Sequence, residues 1–403
     1  MTHFISTRVY ARSLVIAKNL VKRGHRATLI VISPTNRFGI HSHNDEGVRV
    51  IETPDLLWGK MRSGWDPWDL INRLIFLGKE NEHYDILHLF ETRPVTIYPA
   101  LSYCRRHHPV LISDWNDWWG RGGVIQENRP KWYQLLFGPL ETYYEEGFRT
   151  KADGLTVIST ALRDRAIKLG VPAEKIRMIT GGAPLDEFQD HTIVESREHV
   201  GLQGDDLIIG YSSKDGHYEI EMMIRALAEV VKKYPKAKLL LTGTTGDLAT
   251  KLSTKYGVTE NLILTGVLPY KELPWYLGCA NVFILPFPDK IFNRGRWPNK
   301  IGDYFSLARP LVSNPCGDVK RILEENEVGL LADWDPIDFA RKIIFLFENK
   351  DISLRMGKNG RQYAERYLDW NFLTEKLEEF YYLLLEEKKQ VVKENGSNSR
   401  FLA

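Results

Sequence analysis

The sequence predicts an α/β protein built from two tandem Rossmann-like domains, and three observations carry that prediction. Short apolar runs alternate with helical periodicity along the chain, the pattern of parallel sheets covered by helices. At 403 residues the chain exceeds what one ordinary hydrophobic core supports. The alternation also lapses once, from Gly181 to Asp206, where a glycine pair, Pro184 and a polar run intervene, and then restarts.

In the first half, Ile16, Ala17, Leu20 and Val21 mark one helix face. Lys22-Arg23-Gly24 closes it, with cations in the last turn and glycine beyond. Strands are expected at Ala27–Ser33, Val48–Glu52, Ile86–Phe90, Val110–Asp114 and Gly154–Ser159. A helix at Thr160–Leu169 then leads to a strand at Ile176–Ile179. In the second half, strands are expected at Leu207–Tyr211, Lys238–Thr242, Leu262–Thr265, Val282–Pro286, Pro310–Ser313 and Val328–Leu331. A final helix, Trp370–Glu387, carries Leu373, Leu377, Phe380 and Leu384 on one stripe. The expected division is a first domain over 1–183, a second over 184–369, a helix over 370–388 and a disordered polar tail over 389–403. A doubly wound domain opens with a central strand. Met1–Ser6 are too few for a strand and a turn, so either the register is unusual or, as expected here, the first strand of the N-terminal domain is missing.

Composition narrows the function. A hydrophobic content of 43% and a charged content of 26% are those of a globular protein. The net charge of +2 gives no global reason to expect nucleic acid. Three scattered cysteines argue against a disulfide framework or a zinc site. His41 and His43, in a polar stretch, lack further ligands. No apolar run is long enough to span a membrane, and the reading expects a cytosolic protein.

Two segments carry chemistry. In Arg294–Val312, Asn299 follows Pro298 as an expected N-cap of a helix to about Leu307. Lys300 and Asp303 then share one face of its first turns. A helix start beside Lys300, Arg294 and Arg296 suits a phosphate, and a carboxylate one turn on suits a ribose. Gly302 inside the helix suggests that something approaches the backbone there. The second segment, Asp114–Gly123, follows a strand and so belongs at the carboxyl edge of a sheet. Trp115 and Trp118 are expected to stack on a sugar, with Arg121 beside them; the alternative is that both tryptophans are core. Asp114 or Asp117 could orient or deprotonate an acceptor hydroxyl. Glu141, Glu145 and Glu146 are expected on a solvated helix face, and His88 in a structural role. Trp58, Trp65 and Trp68 with Lys60 and Arg62, followed by Leu70–Leu77, are expected as a helical excursion packed on the domain; the alternative is that they touch a membrane surface.

Taken together, these pieces resemble glycosyltransferase family four, the large retaining group with the GT-B fold, over nearly the whole length. Leu20-Val21-Lys22-Arg23-Gly24-His25 is similar to the end of that family's first helix, and Ala152–Ser159 to a characteristic strand. Ile176–Phe188 resembles the segment closing its first domain, with Gly181-Gly182 where Asn-Gly is usual. Leu262–Pro286 and Pro298–Val312 resemble its second-domain signature, with Asp303 in place of Glu and Ala308 in place of Gly. The resemblance implies a metal-independent hexosyltransferase of the polysaccharide-building kind, with no cofactor and a nucleoside diphosphate-sugar as donor. It implies a donor held mostly on the second domain, a glycan or lipid-linked acceptor on the first, and a last helix crossing back to the first domain. A peripheral contact with the cytosolic face of a membrane and the absence of nucleic-acid partners belong to the same expectation. The family's second glutamate, on the ribose, maps to Asp303, and its first, near the donor sugar, maps to Gly295. Its diphosphate-gripping element maps to Gly210–His217, which lacks the arginine and offers Lys214 as a substitute. Alternatives are a non-catalytic sugar- or nucleotide-binding protein on the same scaffold, or a GT-B epimerase or phosphorylase.

Overall fold

The computed structural model describes residues 8–33, 35–56, 64–189, 191–202, 204–213, 217–243 and 246–398. They form two compact units, one holding the chain up to Thr180 with the segment from Trp370 on, the other Gly181–Asp369.

The first unit contains two sheets. In one, β1 (Thr28–Ile32) pairs in parallel with β3 (Val48–Thr53), which pairs in antiparallel with β2 (His41–Asp45). Glu46 and Gly47, at φ 48° and 88°, make the tight β2–β3 turn. β2 is polar and exposed, so no apolar run marks it in the sequence. The other sheet is fully parallel, in the order β4 (Ile86–Leu89), β5 (Val110–Trp115), β6 (Gly154–Val157), β7 (Ile176–Met178). Among the described residues no strand joins β1 to β4. A cavity of about 430 Å³, lined by Ile16, Leu29, Tyr84, Leu87 and His88, lies between them.

The last helix belongs to this unit. Leu373, Leu377, Phe380 and Leu384 pack with Ile16, Phe90, Val110, Ile112 and Ile179 in one core. Gly154 permits the close approach, because a Cβ there would meet Phe380 Cζ at 2.9 Å. At the end of the first helix, Gly24 takes φ 95°, and Arg23 and His25 both pair with Glu378 at 2.5 and 2.6 Å. The helix continues to Asn398, whereas the sequence reading starts disorder at 389. Glu386, Glu387, Lys389 and Gln390 are strong helix formers, and Lys388 Nζ donates to Pro109 O and Asp153 Oδ2 at 2.6 and 2.9 Å.

The second unit is one six-stranded parallel sheet, ordered β10-β9-β8-β11-β12-β13. Its strands are β8 (Ile208–Ser213), β9 (Lys238–Gly243), β10 (Leu262–Gly266), β11 (Val282–Leu285), β12 (Leu311–Ser313) and β13 (Gly329–Leu331). The chain winds outward to β10 and returns to β11 beside β8, so the topological switch lies between β8 and β11. Ala308 sits at φ 52°, a left-handed conformation that costs a side-chain-bearing residue roughly 1–2 kcal/mol. This explains why a glycine is usual there. Ala308→Gly should therefore raise the melting temperature instead of lowering it, as read by thermal unfolding; a lower value would show that the alanine methyl packs productively.

Candidate functional site

In the second unit, the helix Lys300–Ser306 follows β11 and starts at the switch point. Lys300 Nζ lies 4.7 Å from the centre of the Tyr211 ring, near the carboxyl end of β8. The buried Tyr304 stacks on Phe283 at 3.9 Å and its hydroxyl accepts a hydrogen bond from Ser212 N at 3.0 Å. Burial pushes the Tyr304 hydroxyl well above its ordinary pKa, so it stays neutral. Asp303, half-buried one turn after Lys300, helps to raise the pKa of Tyr270, for which burial is the larger cause. A cation, a carboxylate and backbone near the end of β8 therefore gather where α/β sheets bind ligands.

Several expectations need correction here. Asn299 does not cap the helix with its side chain: it lies at φ −53° and ψ −26° and makes no side-chain cap bond. Ile301 N and Gly302 N already donate to Pro298 O and Asn299 O at 2.9 and 3.0 Å. The helix start is thus partly closed on itself, which leaves the anion role to Lys300. What approaches Gly302 is the chain's own backbone, since a Cβ there would meet Gly182 O at 2.9 Å and Ala183 Cα at 3.0 Å. Arg294 is held by Asp289 through two bonds of 2.5 and 2.6 Å, an exposed pair that a stronger anion could replace. Arg296 lies over the Phe292 ring at 4.8 Å. Gly295 is buried and ends the short helix Ile291–Arg294. Lys214 lies outside the described residues.

In the first unit, the Asp114–Gly123 segment does follow β5 at the carboxyl edge, but its groups divide between interior and surface. Trp115 is fully buried between the Arg149 and Arg165 guanidiniums, at 4.6 and 4.9 Å. It is core, and it offers no face to a sugar. Asp114 is also fully buried; Arg12 Nε reaches its Oδ2 at 3.1 Å, and Thr156 donates to its Oδ1. Both oxygens being engaged, Asp114 holds the strand end together and is not placed to take a proton from an acceptor. Asp117, Trp118 and Trp119 are half-buried and Arg121 is exposed, so these remain the groups that a ligand could reach.

The sequence reading missed the anchor of this loop. Glu145 accepts from Trp115 Nε1 at 3.0 Å and Trp119 N at 2.8 Å, and also from Gly120 N. Arg165 lies beside it at 3.4 Å, and Glu141 pairs with Arg93 at 2.5 Å. Glu141 and Glu145 are both about 2% exposed, which reverses the expected solvated face. Only their four-residue spacing hinted that they share a side of the helix. Burial also brings the pKa of the neighbouring Arg149 down to about 10. Gly123 is required where the loop folds back, because a Cβ there would lie 2.6 Å from Trp118 C.

His88 bridges the same network from β4. Its Nδ1 lies 2.6 Å from Tyr381 Oη and its Nε2 3.1 Å from Thr156 Oγ1. Removal from bulk water lowers its pKa to about 3, against the opposing pull of Asp114. Its folded pKa lies below the unfolded value of about 6.5, so the unfolded chain takes up a proton that the folded one refuses. Stability from the neutral ring is full above that unfolded value and is lost as pH falls toward 3. Denaturation of wild type and His88→Gln across pH 7 to 5 should show the wild-type advantage shrinking by up to about 1.4 kcal/mol per pH unit below 6.5. A constant gap would mean that the ring titrates normally. Among the described residues, Trp65 packs edge-on against Tyr144 at 5.0 Å and the Trp68 indole donates to Arg37 O at 3.0 Å. Trp58, Lys60 and Arg62 lie outside them.

Comparison with known proteins agrees with both halves of this architecture. Residues 12–187 match the profile described as Glycosyltransferase Family 4, and residues 207–349 that of Glycosyl transferases group 1. A GDP-mannose-dependent alpha-(1-6)-phosphatidylinositol monomannoside mannosyltransferase of Mycobacterium tuberculosis is 24% identical over 237 residues, 57% of this chain and 61% of the relative. The chain thus spans about three-fifths of that relative's length. A putative teichuronic acid biosynthesis glycosyltransferase of Bacillus subtilis, TuaH, is 23% identical over 68% of this chain and 67% of its own. Among solved structures, sucrose-phosphate synthase from Thermosynechococcus elongatus superposes with a TM-score of 0.74 at 16% identity, over 96% of this chain and 95% of the other. Anabaena HepE in complex with UDP gives 0.67 at 14% identity, over 94% and 99%. These likenesses show the GT-B fold.

Proposed function

Since the chain belongs to glycosyltransferase family four, we propose that it moves a hexose from a nucleoside diphosphate donor to a glycan or lipid-linked acceptor, with retention at the anomeric carbon. The observation that carries this reading is the gathering of Lys300, Asp303 and the Ser212 backbone around the β8–β11 switch point. There Lys300 meets the diphosphate, with Arg296 and, once released from Asp289, Arg294 as further cations. Asp303 accepts the ribose hydroxyls. On the first unit, Asp117 orients the acceptor hydroxyl, with Trp118 and Arg121 as the accessible edge of its subsite.

In the transfer itself the bond from the anomeric carbon to the diphosphate oxygen breaks. The acceptor oxygen bonds to that carbon on the same face, and its proton passes to the departing diphosphate. Cations take up the developing charge, so transfer proceeds without a divalent metal. GDP-mannose and UDP-sugars are the first donors to assay, because relatives and structural neighbours carry those names. Turnover undiminished by EDTA, with a product of unchanged anomeric configuration by NMR, is expected. Inversion at that carbon, or activity abolished by EDTA and restored by magnesium, would overturn the mechanism.

A second reading, donor binding without transfer, is favoured by the buried Gly295 at the position where a side chain usually stands near the donor sugar. Donor affinity without turnover across a broad acceptor panel would select it.

A further inference from the structure

The second unit carries a further cleft, away from the Lys300 cluster. It has a volume of about 800 Å³ and opens beside Leu207, Asn281 and Pro310, the residues that precede β8, β11 and β12. It therefore lies at the amino edge of the sheet, whereas Lys300 stands near the carboxyl end of β8. The floor is apolar. Leu346 and Phe347, at the end of the helix Pro336–Glu348, are 2 and 7% exposed, and the half-buried Ile193 lines the same cleft.

One wall is the helix Lys350–Tyr363, which presents Lys350, Leu354, Lys358 and Arg361 at positions i, i+4, i+8 and i+11. Both lysines are exposed, and among the described residues neither has an ion-pair partner. Leu354 sits between them and is 71% exposed. Arg361 pairs with Glu365 at 2.7 Å, yet Lys358 and Arg361, three apart, still repel each other on that face. Among the described residues, four cations line the cleft, Arg309 included, against one acid, Glu365.

The same wall reaches the Lys300 helix. Arg361 Nη1 donates to Ser306 O at 2.7 Å and to Phe188 O at 3.0 Å. Ser306 ends the helix that Lys300 begins. The packing there is close, since a Cβ on Gly360 would meet Phe305 Cδ1 at 3.0 Å and one on Gly357 would meet Ala308 C at 2.8 Å. A ligand that draws on the Arg361 charge therefore acts on the carbonyl end of that helix.

We propose that this cleft is an effector site for an amphipathic organic anion, whose occupancy is transmitted to the Lys300 helix through Arg361. The ligand class is a phosphate, sulfonate or carboxylate on an apolar body. The volume is that of a small-molecule pocket, the floor takes the apolar body and the wall cations take the anionic group. A bare inorganic anion would leave Leu346, Phe347 and Leu354 uncovered, and a neutral apolar molecule would leave the lysines without counter-charge. The inference rests on the second unit alone and stands whether or not sugar transfer is the activity.

The test is a fluorescence titration of the full chain with anilinonaphthalene sulfonate, using naphthyl phosphate and inorganic phosphate as competitors. Saturable binding is expected, displaced by naphthyl phosphate and not by inorganic phosphate at equal concentration. Lys350→Glu/Lys358→Glu should weaken it about tenfold or more with unchanged circular dichroism, because both side chains are exposed. Leu135→Asp/Leu136→Asp should leave it unchanged, since those residues, 78 and 66% exposed, lie on the helix Lys131–Glu146 of the other unit. Naphthyl phosphate should also slow amide hydrogen exchange over 301–306. No saturable binding, equal binding by the lysine variant, or a loss confined to the leucine variant overturns the proposal. So does displacement by inorganic phosphate as effective as by naphthyl phosphate, or exchange over 301–306 that does not respond to the ligand.

Discussion

Glu145→Ala is expected to destabilise the first unit by about 3–5 kcal/mol, the cost typical of removing one partner from a buried ion pair. The carboxylate is the hub on which the 115–120 segment folds, accepting from the Trp115 indole and the Trp119 and Gly120 amides while facing Arg165. Removing it takes that acceptor from the Trp119 and Gly120 amides and leaves the Trp115 indole with the Asp117 carbonyl at 3.0 Å. It also takes one carboxylate from a cluster of three buried arginines, Arg93, Arg149 and Arg165, of which Arg93 keeps Glu141 and Arg165 keeps Glu146. Glu145→Gln should recover part of the loss, since an amide oxygen can still accept, although its NH2 group would face other donors. Chemical denaturation is the direct measurement. A loss below about 1 kcal/mol would mean that water or a rearranged Glu146 replaces the hub. Any loss of donor affinity in these variants should be small, because the Lys300 cluster belongs to the other unit.

Lys300→Ala should weaken nucleoside diphosphate binding by about 10- to 100-fold, the range of a charge-assisted contact worth roughly 1.5–3 kcal/mol. In the absence of ligand the ammonium rests 4.7 Å from the Tyr211 ring centre, a contact of about 0.5–2 kcal/mol, so the fold should tolerate the change. Calorimetric titration with GDP and with UDP separates affinity from stability. Lys300→Arg should recover some affinity, whereas Asp303→Ala should weaken nucleosides as well as nucleotides. Unchanged diphosphate affinity in Lys300→Ala would remove that residue from the site. The effect should fall as salt rises, because the lysine is only half-buried.

The parallel strands were legible because each is a short apolar run, as in Leu29–Ile32, Val110–Ile112 and Val282–Leu285. β2 was not, since His41–Asp45 contribute hydrogen bonds at a solvated edge and no apolar signal. The Lys300–Asp303 pair was visible because helix spacing alone puts two residues three apart on one face. The closure of that helix start and the reason for Gly302 were not visible. Both come from Pro298, Gly182 and Ala183 backbone meeting at close range.

What the sequence determined by itself was periodicity, and with it the alternation of elements, the two-part organisation and the Leu373–Leu384 stripe of the final helix. Tertiary structure decided which side of an element faces inward when the pattern is ambiguous. Trp115 looked like a sugar platform and is core, while Glu145 looked solvated and is an anchor. Leu135 and Leu136 have the spacing of core residues and lie on the surface. The physical reason is that burial depends on partners. A carboxylate goes inside when arginines and amides from distant segments converge on it, and an apolar stripe stays outside when the opposite face is already committed. No local pattern encodes that convergence.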